Sequence, residues 1–191
     1  GITLKELGRL DEAEVSYKQA IALKPDLVEA HYNLGITLNE LGRLDEAVAS
    51  YAQAIALKSN LAEAHSNLGN TLQELRRLDE AEASLVQAIA LKPDFAEAHY
   101  NLGNTLKELG RLDEAGTSYK QAIALKPDYD RAHSNLGITL KELGRLDEAE
   151  ASYNQAISLK PDFAEAHNNL GNTLQELGKL DEALASYSQA I

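Results

Sequence analysis

The chain has no Cys, no Met and no Trp among its 191 residues, only two Phe and four Pro, and 18 basic residues against 30 acidic ones. Each shortage excludes a class of function. Without Cys there is no disulfide framework, no thiolate metal site and no cysteine nucleophile. No run of 18 apolar residues and no charged start followed by an apolar stretch is present, so neither a membrane span nor a signal peptide is read, and a cytoplasmic location is expected. The formal net charge of −12 repels phosphate backbones. No basic stripe overrides it, so neither nucleic acid nor membrane is expected as a partner. No phosphate-binding Gly loop, HExxH or zinc-spaced cluster occurs. Neighbours such as His65 and Ser66 point to different sides of a helix. No catalytic residues, no cofactor and no metal are therefore expected.

What the sequence has instead is a period. Ala96–Tyr129 and the following Asp130–Phe163 agree at 25 of 34 positions. The copies run Gly1–Leu27 (begun part-way), Val28–Leu61, Ala62–Phe95, Ala96–Tyr129, Asp130–Phe163 and Ala164–Ile191 (cut short). A fixed period of this length means stacked supersecondary units that bury their apolar faces only against neighbours, which predicts one elongated all-α solenoid domain over residues 1–191. Both ends fall inside a repeat and there is no Met, so the chain is expected to be part of something longer.

Within one copy, Ala98, Leu102, Leu106 and Leu109 recur every three or four residues and predict an amphipathic helix, helix A. Asp94 with Glu97 reads as a capping box, as do Asp26/Glu29, Asn60/Glu63 and Asp162/Glu165. Asp128 is followed by Arg131 and stands as a lone cap. Gly110 and its copies Gly8, Gly42, Gly144 and Gly178 should close helix A in the left-handed conformation, with Arg76 as a strained exception. Helix B follows from Asp113, its apolar face built from Ala115, Tyr119, Ala122, Ile123 and Leu125, and ends at Lys126-Pro127. Ser59 replaces that Pro once, which makes the junction after Val28–Leu61 the loosest. Gly103 and Ala115, with their copies Gly35, Gly69, Gly137 and Gly171 and Ala47, Ala81, Ala149 and Ala183, should let the helices approach closely, and Tyr17, Tyr51, Tyr119, Tyr153 and Tyr187, with Leu85 as exception, should fill the space beyond, so small and large side chains interdigitate.

These residues carry a resemblance. The string His99-x2-Leu102-Gly103-x2-Leu106, Ala115-x3-Tyr119, Pro127 resembles the tetratricopeptide repeat pattern, with His where that pattern has Trp and Leu where it has Tyr. The resemblance covers the whole chain and implies a right-handed solenoid of helix-turn-helix units. The phrase Ala-His-(Ser/Tyr/Asn)-Asn-Leu-Gly-Asn also resembles the repeat arm of O-linked N-acetylglucosamine transferases and Spindly-type proteins. That resemblance implies an Asn ladder holding the backbone of a bound polypeptide, here Asn33, Asn67, Asn101, Asn135 and Asn169.

Helix A's polar face carries Glu97, Tyr100, Asn101, Asn104, Lys107 and Glu108. Neighbouring A helices roughly 10 Å apart would meet an extended peptide, rising about 3.3 Å per residue, at about every third residue. A primary amide offers a donor and an acceptor, so it can pair with a peptide group without reading its side chain. Asn70, Asn104 and Asn172, with Tyr32, Tyr100, Lys107 and Lys141, complete the candidate peptide-binding set. Ser66, Ser134 and Asn168 stand in the slot of Tyr32 and Tyr100. The resemblance also implies that clamping an acidic chaperone tail needs Lys or Arg beside the ladder Asn. Here Arg131 alone is basic in the Glu97 slot, and Glu6, Glu40, Glu74, Glu108, Glu142 and Glu176 recur, offset in part by Lys5, Lys107 and Lys141. A neutral to mildly basic extended segment is the expected partner.

All five His residues, His31, His65, His99, His133 and His167, share one slot. A shared metal is excluded because equivalent residues repeat roughly 10 Å apart, far beyond the about 2 Å of a metal–nitrogen bond. Packing in the slot of the pattern's Trp is expected, with stability falling as acid charges a buried neutral ring. The reading is a non-catalytic interaction scaffold. Its rivals are the substrate-recognition arm of a larger enzyme such as a glycosyltransferase, and a structural module that self-associates end to end through exposed apolar repeat ends.

Overall fold

In the computed structural model, residues 1–190 are described, with Glu6 described by its backbone alone. Expectations on the Glu6 side chain and on Ile191 lie outside the described residues. Twelve helices occur among those residues: α1 (Ile2–Glu6), α2 (Leu10–Leu23), α3 (Val28–Glu40), α4 (Leu44–Leu57), α5 (Ala62–Glu74), α6 (Leu78–Leu91), α7 (Ala96–Glu108), α8 (Leu112–Leu125), α9 (Asp130–Glu142), α10 (Leu146–Leu159), α11 (Ala164–Glu176) and α12 (Leu180–Gln189). From Val28 onward the A helices start every 34 residues, and each packs antiparallel on the B helix that follows. The helices fall into two compact units, Gly1–Pro93 and Asp94–Ile191.

Gly110 closes helix α7 at φ 76, and the next N–H, of Arg111, bonds the carbonyl of Leu106 at 2.9 Å. That six-residue closure satisfies a carbonyl the helix would otherwise leave open. Arg76 holds the same left-handed conformation at φ 60, which a side chain disfavours through contact of its Cβ with the carbonyl oxygen.

The A-helix caps differ from expectation. The N-cap residues are Leu27, Leu61, Phe95, Tyr129 and Phe163, none with a side-chain cap bond. Pro93 and Asp94 form a turn before Phe95, so the Asp stands one residue too early to cap. Its backbone acts instead, the Asp94 carbonyl accepting from the N–H of Ala96 at 3.1 Å. The cap position goes to a half-buried apolar or aromatic residue, because packing there outweighs one hydrogen bond to solvent-exposed N–H groups. The Glu63 carboxylate is held below the ordinary range chiefly by its own backbone N–H, and further by Lys92, not by the N–H of Asn60 that the capping box would use. Helix B begins at Leu112, one residue before Asp113.

Packing follows the small-against-large rule. A Cβ built on Gly103 would lie 2.6 Å from Cε1 of Tyr119, and one on Gly137 2.7 Å from Cε1 of Tyr153. In the Gly1–Pro93 unit a Cβ on Gly35 would lie 2.6 Å from Tyr51, and one on Gly69 2.6 Å from Cγ of Leu85. Each unit has its own core: Tyr17, Leu34, Leu38 and Tyr51 with Ala13 and Ala47 in one, and Leu106, Tyr119, Leu136, Leu140, Tyr153 and Leu174 in the other.

Gly116, in the middle of α8, has no such neighbour. A Cβ there would meet Leu136 Cδ1 at 3.9 Å and Thr139 Cγ2 at 4.0 Å, ordinary contact distances. Gly116→Ala removes backbone freedom from the unfolded chain and adds buried contact. A stabilisation of about 1 kcal/mol is expected in urea denaturation.

Candidate polypeptide-binding face

The A helices present their Asn residues at spacings that a helix places on one side, and hydrogen bonds show how each amide is held. In the Asp94–Ile191 unit the Tyr119 hydroxyl, at the end of a ring with no exposed surface, donates to Asn104 Oδ1 at 2.8 Å. Asn135 Nδ2 donates to the same Asn104 oxygen at 2.8 Å and to the Tyr100 hydroxyl at 3.2 Å. The Tyr187 hydroxyl lies likewise 2.8 Å from Asn172 Oδ1, to which its one proton is given in the shorter bond, with Gln175 Oε1 at 3.1 Å as a second acceptor within reach. In the Gly1–Pro93 unit Asn67 Nδ2 donates to the Tyr32 hydroxyl at 3.1 Å.

Which way an amide turns depends on the B-helix residue behind it. Asn104 and Asn172 are backed by Tyr119 and Tyr187 and give their oxygens to those hydroxyls. Asn70 is backed by Leu85, which has no donor, and it turns along its own helix to Glu74 Oε1 at 3.0 Å. A primary amide has two donors and one oxygen acceptor. Among the described residues Asn104 and Asn172 therefore keep Nδ2 uncommitted, whereas Asn67 and Asn135 keep Oδ1 uncommitted. Donors and acceptors are both on offer, each fixed by its protein partner.

The other expected residues sort unevenly. Asn33 and Asn169 are half-buried on the same helical positions, and their carbonyls accept the hydroxyls of Thr37 and Thr173. Asn101 is only 8% exposed, which leaves its amide little room for a partner. Tyr32 and Tyr100 are half-buried, tilted against Tyr51 and Tyr119 at ring centroid distances of 6.1 and 6.0 Å. Burial drives the hydroxyl ionisation of Tyr51 and Tyr119 well above the usual range, so both stay protonated donors at neutral pH. In the slot of Tyr32 and Tyr100, Ser66 and Ser134 are buried, and Asn168 is exposed. Lys141 is paired with Glu176 at 3.0 Å and Lys5 with Glu40 at 3.2 Å. Lys107 is half-buried.

The His slot departs from simple packing. Nε2 of His31 lies 2.8 Å from the carbonyl of Pro25, and His133 and His167 repeat this with Pro127 and Pro161 at 3.1 and 2.9 Å. A carbonyl only accepts, so Nε2 donates, as it does in the neutral Nε2–H tautomer and in the imidazolium alike. These His residues tie helix A to the preceding turn through a bond that protonation leaves in place. His31 and His133 are half-buried and His167 is buried, at 8% exposure. At Ser59, which replaces the Pro, the corresponding distance from His65 is 3.3 Å, the longest of the four.

No group of three His, Asp or Glu side chains that could hold a metal ion occurs among the described residues. No helix there is long and apolar enough to cross a membrane.

Paired antiparallel helices at a 34-residue period, with a Gly packed on a large side chain inside each pair, Tyr in all but α5/α6 where it is Leu85, define a tetratricopeptide-type helical repeat. The family model described as cilia and flagella-associated protein 70 C-terminal domain, a tetratricopeptide repeat model, matches residues 3–191. The chain belongs to that family. Among curated proteins no relative matches. Among solved structures it is similar to MamA, at 29% identity and TM-score 0.78 over 82% of this chain and 92% of that one. It is similar also to YrrB, at 25% identity and TM-score 0.76 over 92% and 90%, a protein described as having an unusual peptide-binding site. PilF of Pseudomonas aeruginosa, at 20% identity, shares the fold with TM-score 0.86 over 97% and 85%. Repeat domains of this class generally mediate protein–protein interaction and are typically non-catalytic.

Proposed function

We propose that the chain is a non-catalytic scaffold that binds an extended polypeptide along the Asn-bearing face of its A helices. The observation that carries this reading is the division of labour among the amides: Asn67 and Asn135 offer an acceptor, and Asn104 and Asn172 a donor. A peptide backbone needs both, for its N–H and its C=O groups respectively. Because Tyr hydroxyls already orient the amides, a ligand forms these bonds without first freezing the side chains, which lowers the ordering cost of binding. YrrB, similar across most of its length, supports the reading by its described peptide-binding site. The acidic balance of the chain, −12 overall, favours neutral to mildly basic segments.

The test begins with a peptide selected by display on the intact chain. Asn67, Asn104 and Asn135 are then changed together to Ala. Each amide bond contributes on the order of 1 kcal/mol, so affinity measured by calorimetry should fall at least about tenfold. Binding unchanged in a variant that keeps its helical circular dichroism would refute the ladder.

A further inference from the structure

The Gly1–Pro93 unit contains a cavity of about 240 Å³ beside Tyr32, walled by Leu61 and Ala64 and edged by Lys58, Glu29 and Glu63. That volume is smaller than the roughly 300–1,000 Å³ of sites that take whole drug-sized ligands. One large side chain is the appropriate scale. The repeat supplies its own template for the occupant, because the equivalent residues sixty-eight positions later, about two periods on, are Tyr100, Tyr129, Ala132, Lys126, Glu97 and Arg131. There the place is filled: the Tyr129 ring lies 4.8 Å from that of Tyr100 at an interplanar angle of 35°, with Lys126 Nζ 4.9 Å above it. Burial first, then Tyr100 and Glu97, push the Tyr129 hydroxyl up to about 12, with Arg131 acting the other way. Corresponding neighbours thus surround a ring in one unit and a void in the other, where Leu61 stands in place of the aromatic and Glu63 in place of Arg131.

We propose that the Tyr32 cavity receives one aromatic side chain, Tyr or Phe, of the bound polypeptide, stacked as Tyr129 stacks on Tyr100, with a basic residue next to it. The basic neighbour follows from charge. Where Tyr129 has Glu97 and Arg131 on its flanks, the cavity has Glu29 and Glu63, two acids. Glu63 is paired at 3.3 Å with Lys92, both side chains being about half exposed, so a ligand cation can share it at the solvent edge at little cost. This rests on the polypeptide-binding reading and adds an anchor to it.

The probe is the capped dipeptide N-acetyl-Tyr-Arg-amide, titrated into the whole chain and followed by NMR, with the Ala-Arg and Tyr-Glu analogues as controls. Saturable shifts are expected at Tyr32, Leu61 and Ala64, with affinity at least about tenfold lower for Ala-Arg and weaker for Tyr-Glu. Leu61→Tyr lets the protein fill its own cavity. That variant should melt no lower than the parent and lose the dipeptide response. Absence of saturable shifts at Tyr32 and Ala64, or an undiminished response in Leu61→Tyr, overturns the proposal. The dipeptide is too short to span the amides, so a variant with Asn104 and Asn135 changed to Ala, which leaves the Asn67 bond to the Tyr32 hydroxyl in place, should still bind it. Loss of long-peptide binding there with the dipeptide retained supports both ideas. Dipeptide binding with long peptides indifferent to the amides sinks the ladder and leaves the pocket.

Discussion

Tyr119→Ala is expected to cost about 3–5 kcal/mol, read as a shift of the urea midpoint for the Asp94–Ile191 unit, because the substitution empties a packed site that cannot collapse. The Tyr119 ring has no exposed surface, sits against Gly103 and is tilted on Tyr100 at 6.0 Å. None of these partners can swell into the space, since Gly103 has no side chain and Tyr100 is held by its own contact with Tyr129. Tyr119→Phe separates packing from hydrogen bonding. It keeps the ring and removes only the bond to Asn104, so about 1 kcal/mol is expected. Tyr119→Leu should fall between the two, as Leu85 already fills that slot behind Gly69. A loss under about 1 kcal/mol for Tyr119→Ala would mean that the Gly-to-Tyr contact does not hold the repeat together.

Gly103→Ala comes at the same contact from the other side. Its new methyl would lie 2.6, 2.7 and 3.0 Å from three ring carbons of Tyr119. Overpacking of this kind costs about 1–3 kcal/mol, and the better helix propensity of Ala returns about 1 kcal/mol. A net loss is expected, greatest if the Tyr119 ring cannot tilt. The sign is the informative part, because Gly116→Ala on the neighbouring B helix should gain stability by the same propensity with no clash. The double variant Gly103→Ala/Tyr119→Ala should lose less than the sum of its parts, since the methyl enters space the ring has left. Strict additivity in denaturation would show that the two positions do not share a contact.

The helical period, the Gly110-type closures and the Gly-against-Tyr slots could be read from the chain because each is local or repeats at a fixed offset. Arg76 at φ 60 shows the closure kept where Gly is missing. The caps were misplaced by one residue because Asp94 carries the usual capping chemistry, whereas the fold places Phe95 at the cap. The His slot was read as packing because the pattern puts Trp there, and a ring that packs and also bonds a carbonyl six residues back looks the same in sequence. The Asn positions were visible on helix A, but the atoms already spent were not. The Tyr119 hydroxyl fixes Asn104 fifteen residues away, and its role as a support of the face was missed. A signal existed: Asn104 and Asn172 are each backed by Tyr, and Asn70 by Leu85, so the pairing across the repeat decides which way the amide faces.

The most direct measurement is an NMR titration that resolves the Asn side-chain NH2 groups while a display-selected peptide is added to the intact chain. The expected result is saturable shifts at Asn67, Asn104, Asn135 and Asn172, larger than those at exposed B-helix positions such as Val86 and Gln87. Shifts confined to the B helices, with those four amides unmoved at saturation, would contradict binding along the Asn-bearing face.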